Sequence, residues 1–321
     1  PTTLAGYGIT DAMAPGTVHD GDITGSVFGD DSTLLVDGVN NKIVGAVDTA
    51  SLTVSSTNVA IGNSAGETTQ GVQAVSLGAR AGQTTQGNNA TAIGADAGNS
   101  SQGANATAIG GGSAQVSQGE GAVAIGYLAG ETTQGASSVA IGKEAGLTSQ
   151  GTESVAIGLL AGKLNQGSQT IAIGSEAGRD DQGANGIALG HESGLADQAE
   201  FGIAIGEKAG RINQGIRGIG IGRSSGQTNQ GTKAVAIGDA AGYATQGANA
   251  IAIGEKAGET NQAANSIVIN ATGTETNNTT ASSLVITPIR SAVGTTIMMY
   301  DAGTGEVTHT ASPAITGDIT G

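Results

Sequence analysis

Glutamine is the polar residue whose spacing in this chain is most regular, because it recurs thirteen times at intervals of sixteen residues. A side-chain amide has two donor hydrogens and an acceptor oxygen, so it can bind another amide or a backbone carbonyl. Two interpretations stay open: the amides form a ladder between successive repeats, or each amide satisfies a turn carbonyl of its own repeat. The glutamines are Gln70, Gln86, Gln102, Gln118, Gln134, Gln150, Gln166, Gln182, Gln198, Gln214, Gln230, Gln246 and Gln262.

Residues typical of metal binding are few and scattered. The histidines lie in unrelated segments, which favours solvated surface positions over a chelating set; they are His19, His191 and His309. Several N-terminal carboxylates could bind a hard cation, but no calcium-loop spacing is present and turn capping explains them better. These are Asp22, Asp30, Asp31 and Asp37. We expect no metal site.

The composition argues against an enzyme. Only 2% of the residues are aromatic and 12% are charged, whereas catalytic pockets are usually lined by aromatic side chains. Cleavage of a glycan would need paired carboxylates in a cleft with sugar-stacking rings. A net charge of −15 opposes nucleic-acid binding, cysteine is absent, and no apolar run approaches a membrane span. We expect no catalytic residue, no cofactor, no nucleic acid and no membrane insertion.

The glutamines belong to a sixteen-residue repeat without insertions, whose marker glycine recurs thirteen times from Gly62 to Gly254. A β-branched, a small and an aliphatic residue precede each marker, as in Val123-Ala124-Ile125. This alternation is typical of a strand, with the bulky residues on one side and alanine on the other. Two further glycine columns predict turns that need positive φ. Each repeat therefore predicts one coil of an all-β, parallel β-solenoid or β-roll of about thirteen coils.

The thinness of one coil bears on its assembly. Two large aliphatic side chains per coil contribute only ~3–6 kcal/mol if they are fully buried. Ordering sixteen residues costs on the order of 20 kcal/mol, so a lone roll is short of buried surface. The alanine column offers a flat face that suits close lateral contact. We expect a parallel homotrimer.

Three regions follow from the repeat. Residues 1–54 form N-terminal β-rich modules, 55–270 form the roll, and 271–321 form a linker and a β-hairpin. The last five residues, 317–321, repeat the GDITG of 21–25, so we expect the chain to be a section of a longer modular fibre. The expected strands outside the roll are Thr33–Val36, Lys42–Val44, Ser283–Ile289, Thr295–Tyr300 and Glu306–Thr310.

The repeats, such as GANAIAIGEKAGETNQ, resemble the head repeats of trimeric autotransporter adhesins over residues 58–270. That family's signature is a small residue followed by Val-Ala-Ile-Gly. The resemblance implies a left-handed parallel β-roll that packs as a trimer. The unit here has sixteen residues and an added glutamine, so we expect its second turn to differ.

The flanking segments resemble tail fibres of tailed, marine-type bacteriophages. The phrase PTTLAGYGITDA is similar to one common in such fibres, and so are GDITGSVFGDDSTLLVDGVNNKIVG and SSLVITPIRSAVGTTIMMYDAGTGEVTH. The resemblance implies a virion protein, a structural tail-fibre segment that supports host attachment. Its partners would be further copies of itself, other fibre or tail proteins, and a host surface glycan or protein. The alternative location is a bacterial cell surface, as the head of an adhesin.

The two residues after each marker glycine vary freely, so we expect them on an exposed turn. The apolar residues there, with one tyrosine further along its coil, are either unselected surface or a weak contact strip for host glycans or fibre proteins. They are Tyr127, Leu128, Leu159, Leu160 and Tyr243. A third class, an ice- or ligand-binding solenoid, is suggested by Thr68-Thr69, but the same positions later become Asp180-Asp181.

Overall fold

The structure, a computed structural model, describes residues 58–289, 296–301 and 303–311, and three short strands before residue 58. Every regular element among these residues is a β-strand. The chain divides into two compact units, Pro1–Ser55 and Ser56–Gly321. The segment PTTLAGYGITDA, the carboxylates of Asp22, Asp30, Asp31 and Asp37, His19 and residues 317–321 lie outside the described part.

The N-terminal unit contains a small antiparallel sheet. Its central strand, Leu34–Asp37, pairs on one side with Val27–Phe28 and on the other with Lys42–Ile43. The two strands expected from the sequence overlap these, within the one or two residues by which strand ends are usually defined.

The second unit is a parallel β-solenoid of about 14 turns with about 16 residues in each turn, as the repeat predicts. Each of the first thirteen turns contributes one strand to each of two sheets, which we call the aliphatic sheet and the glutamine sheet after the residues that define them; two further strands extend the aliphatic sheet. In both sheets, strand neighbours in space come from successive turns of the chain.

The aliphatic sheet has fifteen strands and the glutamine sheet thirteen. The aliphatic sheet consists of Val59–Ile61, Val75–Leu77, Thr91–Ile93, Thr107–Ile109, Val123–Ile125, Val139–Ile141, Val155–Ile157, Ile171–Ile173, Ile187–Leu189, Ile203–Ile205, Ile219–Ile221, Val235–Ile237, Ile251–Ile253, Ile267–Asn270 and Leu284–Thr287. The glutamine sheet consists of Thr68–Gln70, Thr84–Gln86, Ser100–Gln102, Val116–Gln118, Thr132–Gln134, Thr148–Gln150, Leu164–Gln166, Asp180–Gln182, Ala196–Gln198, Ile212–Gln214, Thr228–Gln230, Ala244–Gln246 and Thr260–Gln262.

The register places equivalent residues of successive turns side by side. Ala108 pairs with Ala92 on one side and with Ala124 on the other. The connecting segments are bonded in the same way as the strands: for example, the Arg80 amide donates to the Asn63 carbonyl, one repeat earlier, at 2.8 Å. Because the turns from Val59 to Ile269 have the same length, the backbone donors and acceptors of one turn meet those of the next.

The interior of the solenoid is lined by alanine, which corrects the expectation that the large aliphatic residues form the core. Strand alanines such as Ala156 and turn alanines such as Ala161 have no exposed surface. The flanking strand residues point outward, and Ile125 and Leu189 keep 36% and 42% of their surface exposed. The alternation was predicted correctly, but its direction was wrong: in most turns alanine, and in a late turn Val268, occupies the inward position of the strand.

Two glycine columns have the positive φ expected of turns, near +125 to +137° at most marker positions and about +50 to +57° four residues later. The glycine that follows eleven of the glutamines does not have a positive φ; it is favoured because the backbone of the next turn comes close, although Ala199 and Ala263 occupy the same position. A Cβ on Gly167 would lie 2.6 Å from the Ala184 nitrogen. Positive φ also occurs at non-glycine residues, among them Thr133 and Leu160.

The array ends in an irregular turn within the segment expected to be a linker. Ile269 pairs with Ile286, seventeen residues later, and the Ala263 amide donates to the Asn278 carbonyl at 2.8 Å. Asn270 replaces the marker glycine and donates from Nδ2 to the carbonyls of Glu255 and Thr274. The hairpin expected further on is formed by Thr296–Asp301 and Glu306–Ala311, which pair antiparallel.

We predict that Ala172→Leu destabilises the solenoid, because Ala172 has no exposed surface and a larger side chain overpacks the interior. The expected loss is about 1–3 kcal/mol or more. Denaturant unfolding followed by circular dichroism measures it. The control is Ala248→Leu, since Ala248 is exposed, and an equal loss in both variants would contradict the packing of the interior.

A pair of glycine substitutions tests the turn geometry. Gly174→Ala should be strongly destabilising, because Gly174 has φ +129° and a Cβ would lie 2.6 Å from the Gly190 oxygen. Gly111→Ala should be nearly neutral, since the nearest atom to its added Cβ is 3.7 Å away. Thermal melting of both variants provides the comparison, and similar melting temperatures would be inconsistent with this geometry.

Candidate functional site

The thirteen repeat glutamines place their side chains inside the solenoid, where they cross from one sheet to the other. In each, Nε2 donates to the backbone carbonyl eleven residues earlier, in the aliphatic sheet, as Gln182 does to Ile171 at 3.1 Å. Gln182 is only 1% exposed. The sequence interpretation missed this bond between the sheets, because no local pattern shows which strand lies opposite.

A second set of bonds joins glutamines of successive turns. Nε2 of Gln182 donates to Oε1 of Gln198 at 2.9 Å, and the same bond recurs in nine of the steps between Gln86 and Gln262. Several amides also lie within 3.2–3.5 Å of the carbonyl four residues later, in their own turn. The sequence left open whether each amide bonds to the next repeat or to a carbonyl of its own repeat. In the structure the same nitrogen, Nε2, makes both kinds of bond.

Hydroxyl groups accompany the gaps in this ladder. The amide-to-amide bond is not formed at the first step, where Ser76 stands in the alanine column and its Oγ donates to Gln86 Oε1 at 2.8 Å. It is also not formed on either side of Gln150, whose oxygen lies 3.4 Å from the Ser138 Oγ. A hydroxyl donor thus takes over the oxygens of Gln86 and Gln150, whereas Oε1 of Gln166 has no hydrogen-bond partner among the described residues.

The interior offers packing and hydrogen bonds, and the described residues contain no group of three or more His, Cys, Asp or Glu side chains that could hold a metal ion. His191 lies at the surface, with Nε2 3.7 Å from a Glu192 oxygen. No helix among the described residues is long and apolar enough to cross a membrane. What this arrangement can do is keep successive turns in a fixed register.

The outer side of the aliphatic sheet is an apolar surface that continues along the solenoid. It presents two parallel rows of Val, Ile, Leu and Thr side chains, one from each end of every strand. The exposed fractions of Ile61, Leu189, Ile253 and Ile286 lie between 39% and 50%. Monomeric proteins rarely expose an apolar face that continues over so many strands.

The expected contact residues do not form one strip. Tyr127 is 57% and Leu159 46% exposed, two turns apart along the same edge, with Leu128 and Leu160 half-buried beside them. Tyr127 lies against Gly111 of the preceding turn, where an added Cβ would be 3.7 Å from its ring. Tyr243 is 39% exposed, but it lies about five turns beyond Leu159 and at a different column.

Ion pairs lie at the exposed edges of the turns. Arg80 binds Asp96, one turn away, through two bonds of 2.6 and 2.7 Å. The hydrogen bond from Arg80 lowers the pKa of the Asp96 carboxyl. Similar pairs join Arg223 to Asp239. These groups are solvated, so each pair contributes little to stability.

One surface cluster was missed by the sequence analysis. The Arg217 guanidinium lies over the Phe201 ring, 5.3 Å from its centroid. The two residues are sixteen positions apart, one period of the repeat, so the stacking of columns could have revealed their contact. Ile216 beside them is 44% exposed.

Comparison of the chain with protein-family models, with curated proteins and with solved structures finds no match.

We predict that Gln182→Met destabilises the solenoid. Methionine keeps the length of the side chain but cannot donate to Ile171 or Gln198, and each buried polar group left without a partner costs about 1–3 kcal/mol. Denaturant unfolding gives the loss. Gln169→Met serves as control, because Gln169 is exposed and bonds only to Glu153. A control that is as destabilising as Gln182→Met would show that the buried amide has no special role.

Proposed function

We propose that this chain is a structural segment of a viral tail fibre, in which three parallel copies form a rigid spacer that supports host attachment. The observation that carries the proposal is the aliphatic face, which continues along about 14 turns of about 16 residues each. A face of this kind suits burial against copies of itself. The left-handed winding expected from the resemblance belongs to the same proposal.

The direction of the side chains changes how we expect the copies to meet. Alanine is enclosed within each copy, so the lateral contact is assigned to the Val and Ile rows instead. Exposed apolar area buried between copies contributes ~25 cal/mol per Å². Three such faces turned toward a common axis would supply the core that a single thin coil lacks, and parallel copies would bring equivalent turns to the same height.

Rigidity follows from the same geometry. Each turn is bonded to the next through backbone ladders and the buried glutamines, and about 14 turns at ~4.8 Å extend ~70 Å. A spacer needs length and stiffness rather than a pocket. The flanking phrases that resemble phage fibres favour a virion over a cell surface, while the Val-Ala-Ile-Gly repeat favours the second candidate, the head of a bacterial adhesin.

Light scattering tests the assembly. We expect a mass of three times the 30.8 kDa chain. Lysine at Ile125, Leu189 and Ile253 together should abolish the trimer, because charged side chains cannot enter an apolar interface without a partner. Lysine at Thr133, Asn213 and Asn261, on the exposed side of the glutamine sheet, should leave the mass unchanged. A folded monomer of the unmodified chain would disprove the proposed assembly.

The biological assignment needs a separate measurement. An antibody against the purified chain, viewed by electron microscopy on phage particles and on cells, should label a fibre of the virion tail. Label confined to the cell surface would support the adhesin instead. The absence of an effect on ice growth would exclude the ice-binding class, whose regular threonine face is interrupted at Asp180-Asp181.

A further inference from the structure

Three consecutive turns carry unusual side chains at one surface position of the short turn that follows the glutamine sheet. Phe201, Arg217 and Lys233 occupy this position, sixteen residues apart, and all three are exposed. Ile216 adds an exposed apolar side chain beside Arg217. We call these four residues the basic aromatic patch.

The fold does not account for these residue types. Their φ angles are +57 to +58°, a region in which bulky side chains are strained and asparagine or glycine is favoured. Five other turns have asparagine at this position, and the remaining five have glutamine, glycine, serine or glutamate, so Phe201 is the one aromatic residue of the column; the asparagines are Asn89, Asn105, Asn185, Asn249 and Asn265. Phe201 remains 42% exposed, so burial compensates little of its strain. An observed strained residue without a packing role is a reason to look for a binding role.

The charge of the patch also stands out from its surroundings. The chain has a net charge of −15, and most of the cations that the structure describes take part in ion pairs. Neither Arg217 nor Lys233 forms an ion pair within the described part of the chain. Two unneutralised cations one turn apart, ~4.8 Å along the axis, therefore attract an anion.

The contact between Arg217 and Phe201 orders the cation. The guanidinium lies 5.3 Å from the ring centroid, and a guanidinium stacked on an aromatic face keeps its planar donors free for a carboxylate. The remaining surface of Phe201 and Ile216 can contact the apolar face of a pyranose ring. A nucleobase fits less well, because Arg217 already covers one face of the Phe201 ring.

We infer that the basic aromatic patch binds an acidic saccharide, with a sugar carboxylate on Arg217, a second acidic or hydroxyl group on Lys233, and the sugar ring against Phe201 and Ile216. The inference rests on the proposed function, since three copies of the chain would present three such sites. Individually weak sites gain avidity in this way when the ligand is a polymer on a cell surface.

The experiment measures binding of a fluorescent trimer of galacturonic acid to the intact chain by anisotropy. The methyl-esterified trimer is the matched neutral ligand and should bind at least about tenfold more weakly, because charge-assisted bonds to the carboxylates are lost. The double variant Arg217→Gln/Lys233→Gln should weaken binding of the acidic trimer by a similar factor. The double variant Arg223→Gln/Lys256→Gln, with the same change of charge at another surface of the turns, should not.

Phe201→Asn separates binding from folding. It should weaken binding of the acidic trimer while the unfolding midpoint stays the same or rises, since asparagine suits a φ of +58°. Equal binding of the esterified trimer, an equal effect of the two double variants, or unchanged binding by Phe201→Asn would each overturn the inference. Competition by oligothymidylate at the same concentration as the acidic trimer would also overturn it, in favour of a general anion site.

Light scattering on the same variants distinguishes this inference from the proposed function. A lower mass after Arg217→Gln/Lys233→Gln would make the patch a contact between copies and overturn the saccharide site. A monomeric unmodified chain that binds the acidic trimer as expected would disprove the trimer while supporting the site.

Discussion

The bond from each buried glutamine to the backbone of the opposite sheet is the interaction on which the rest of the solenoid depends. It spans the interior once per turn, so the distance between the sheets is set by the length of one glutamine side chain. With Gln182 in this position, the remaining space near it is filled by side chains as small as Ala172. Glycine is then favoured where the turn passes the amide, since a Cβ on Gly178 would lie 2.7 Å from Gln182 Oε1, although Ala114 occupies the equivalent position of its turn.

This narrow interior determines what the outer faces look like. A core of alanine and glutamine buries little apolar surface, and the large aliphatic residues of each strand remain on the outside, as Ile125 and Leu189 do. The solenoid thus satisfies most of its buried polar groups internally, with Gln166 Oε1 among the exceptions. Contact with another surface would bury the part of each large aliphatic side chain that stays exposed. Folding and assembly are expected to be coupled for this reason, as in other proteins whose repeats bury too little alone.

The outer turns are free of this constraint and differ from one another. Ion pairs such as Arg80 with Asp96 link successive turns but contribute little to the free energy of folding. Phe201, which lies under Arg217, has a strained φ that destabilises the fold relative to asparagine at the same position. The candidate contacts at Tyr127 and Leu159 lie on a different edge of the turns, and neither residue has the strained positive φ of Phe201. The surface side chains therefore differ from turn to turn, while the backbone and the interior stay the same. This combination suits the proposed spacer if it also makes weak contacts along its length.

The sequence by itself determined the period, the class of fold and the alternation of strand residues, because a solenoid converts each repeat into one turn. The glycines of positive φ were also readable, as turns need them. Only the tertiary structure decided which side of the Val-Ala-Ile strand faces inward and what each glutamine bonds to. Both depend on how the two strands of one turn, nine residues apart in sequence, pack across the interior. The alternation of bulky and small residues is the same whichever side of the strand faces inward, so the sequence pattern does not show the direction.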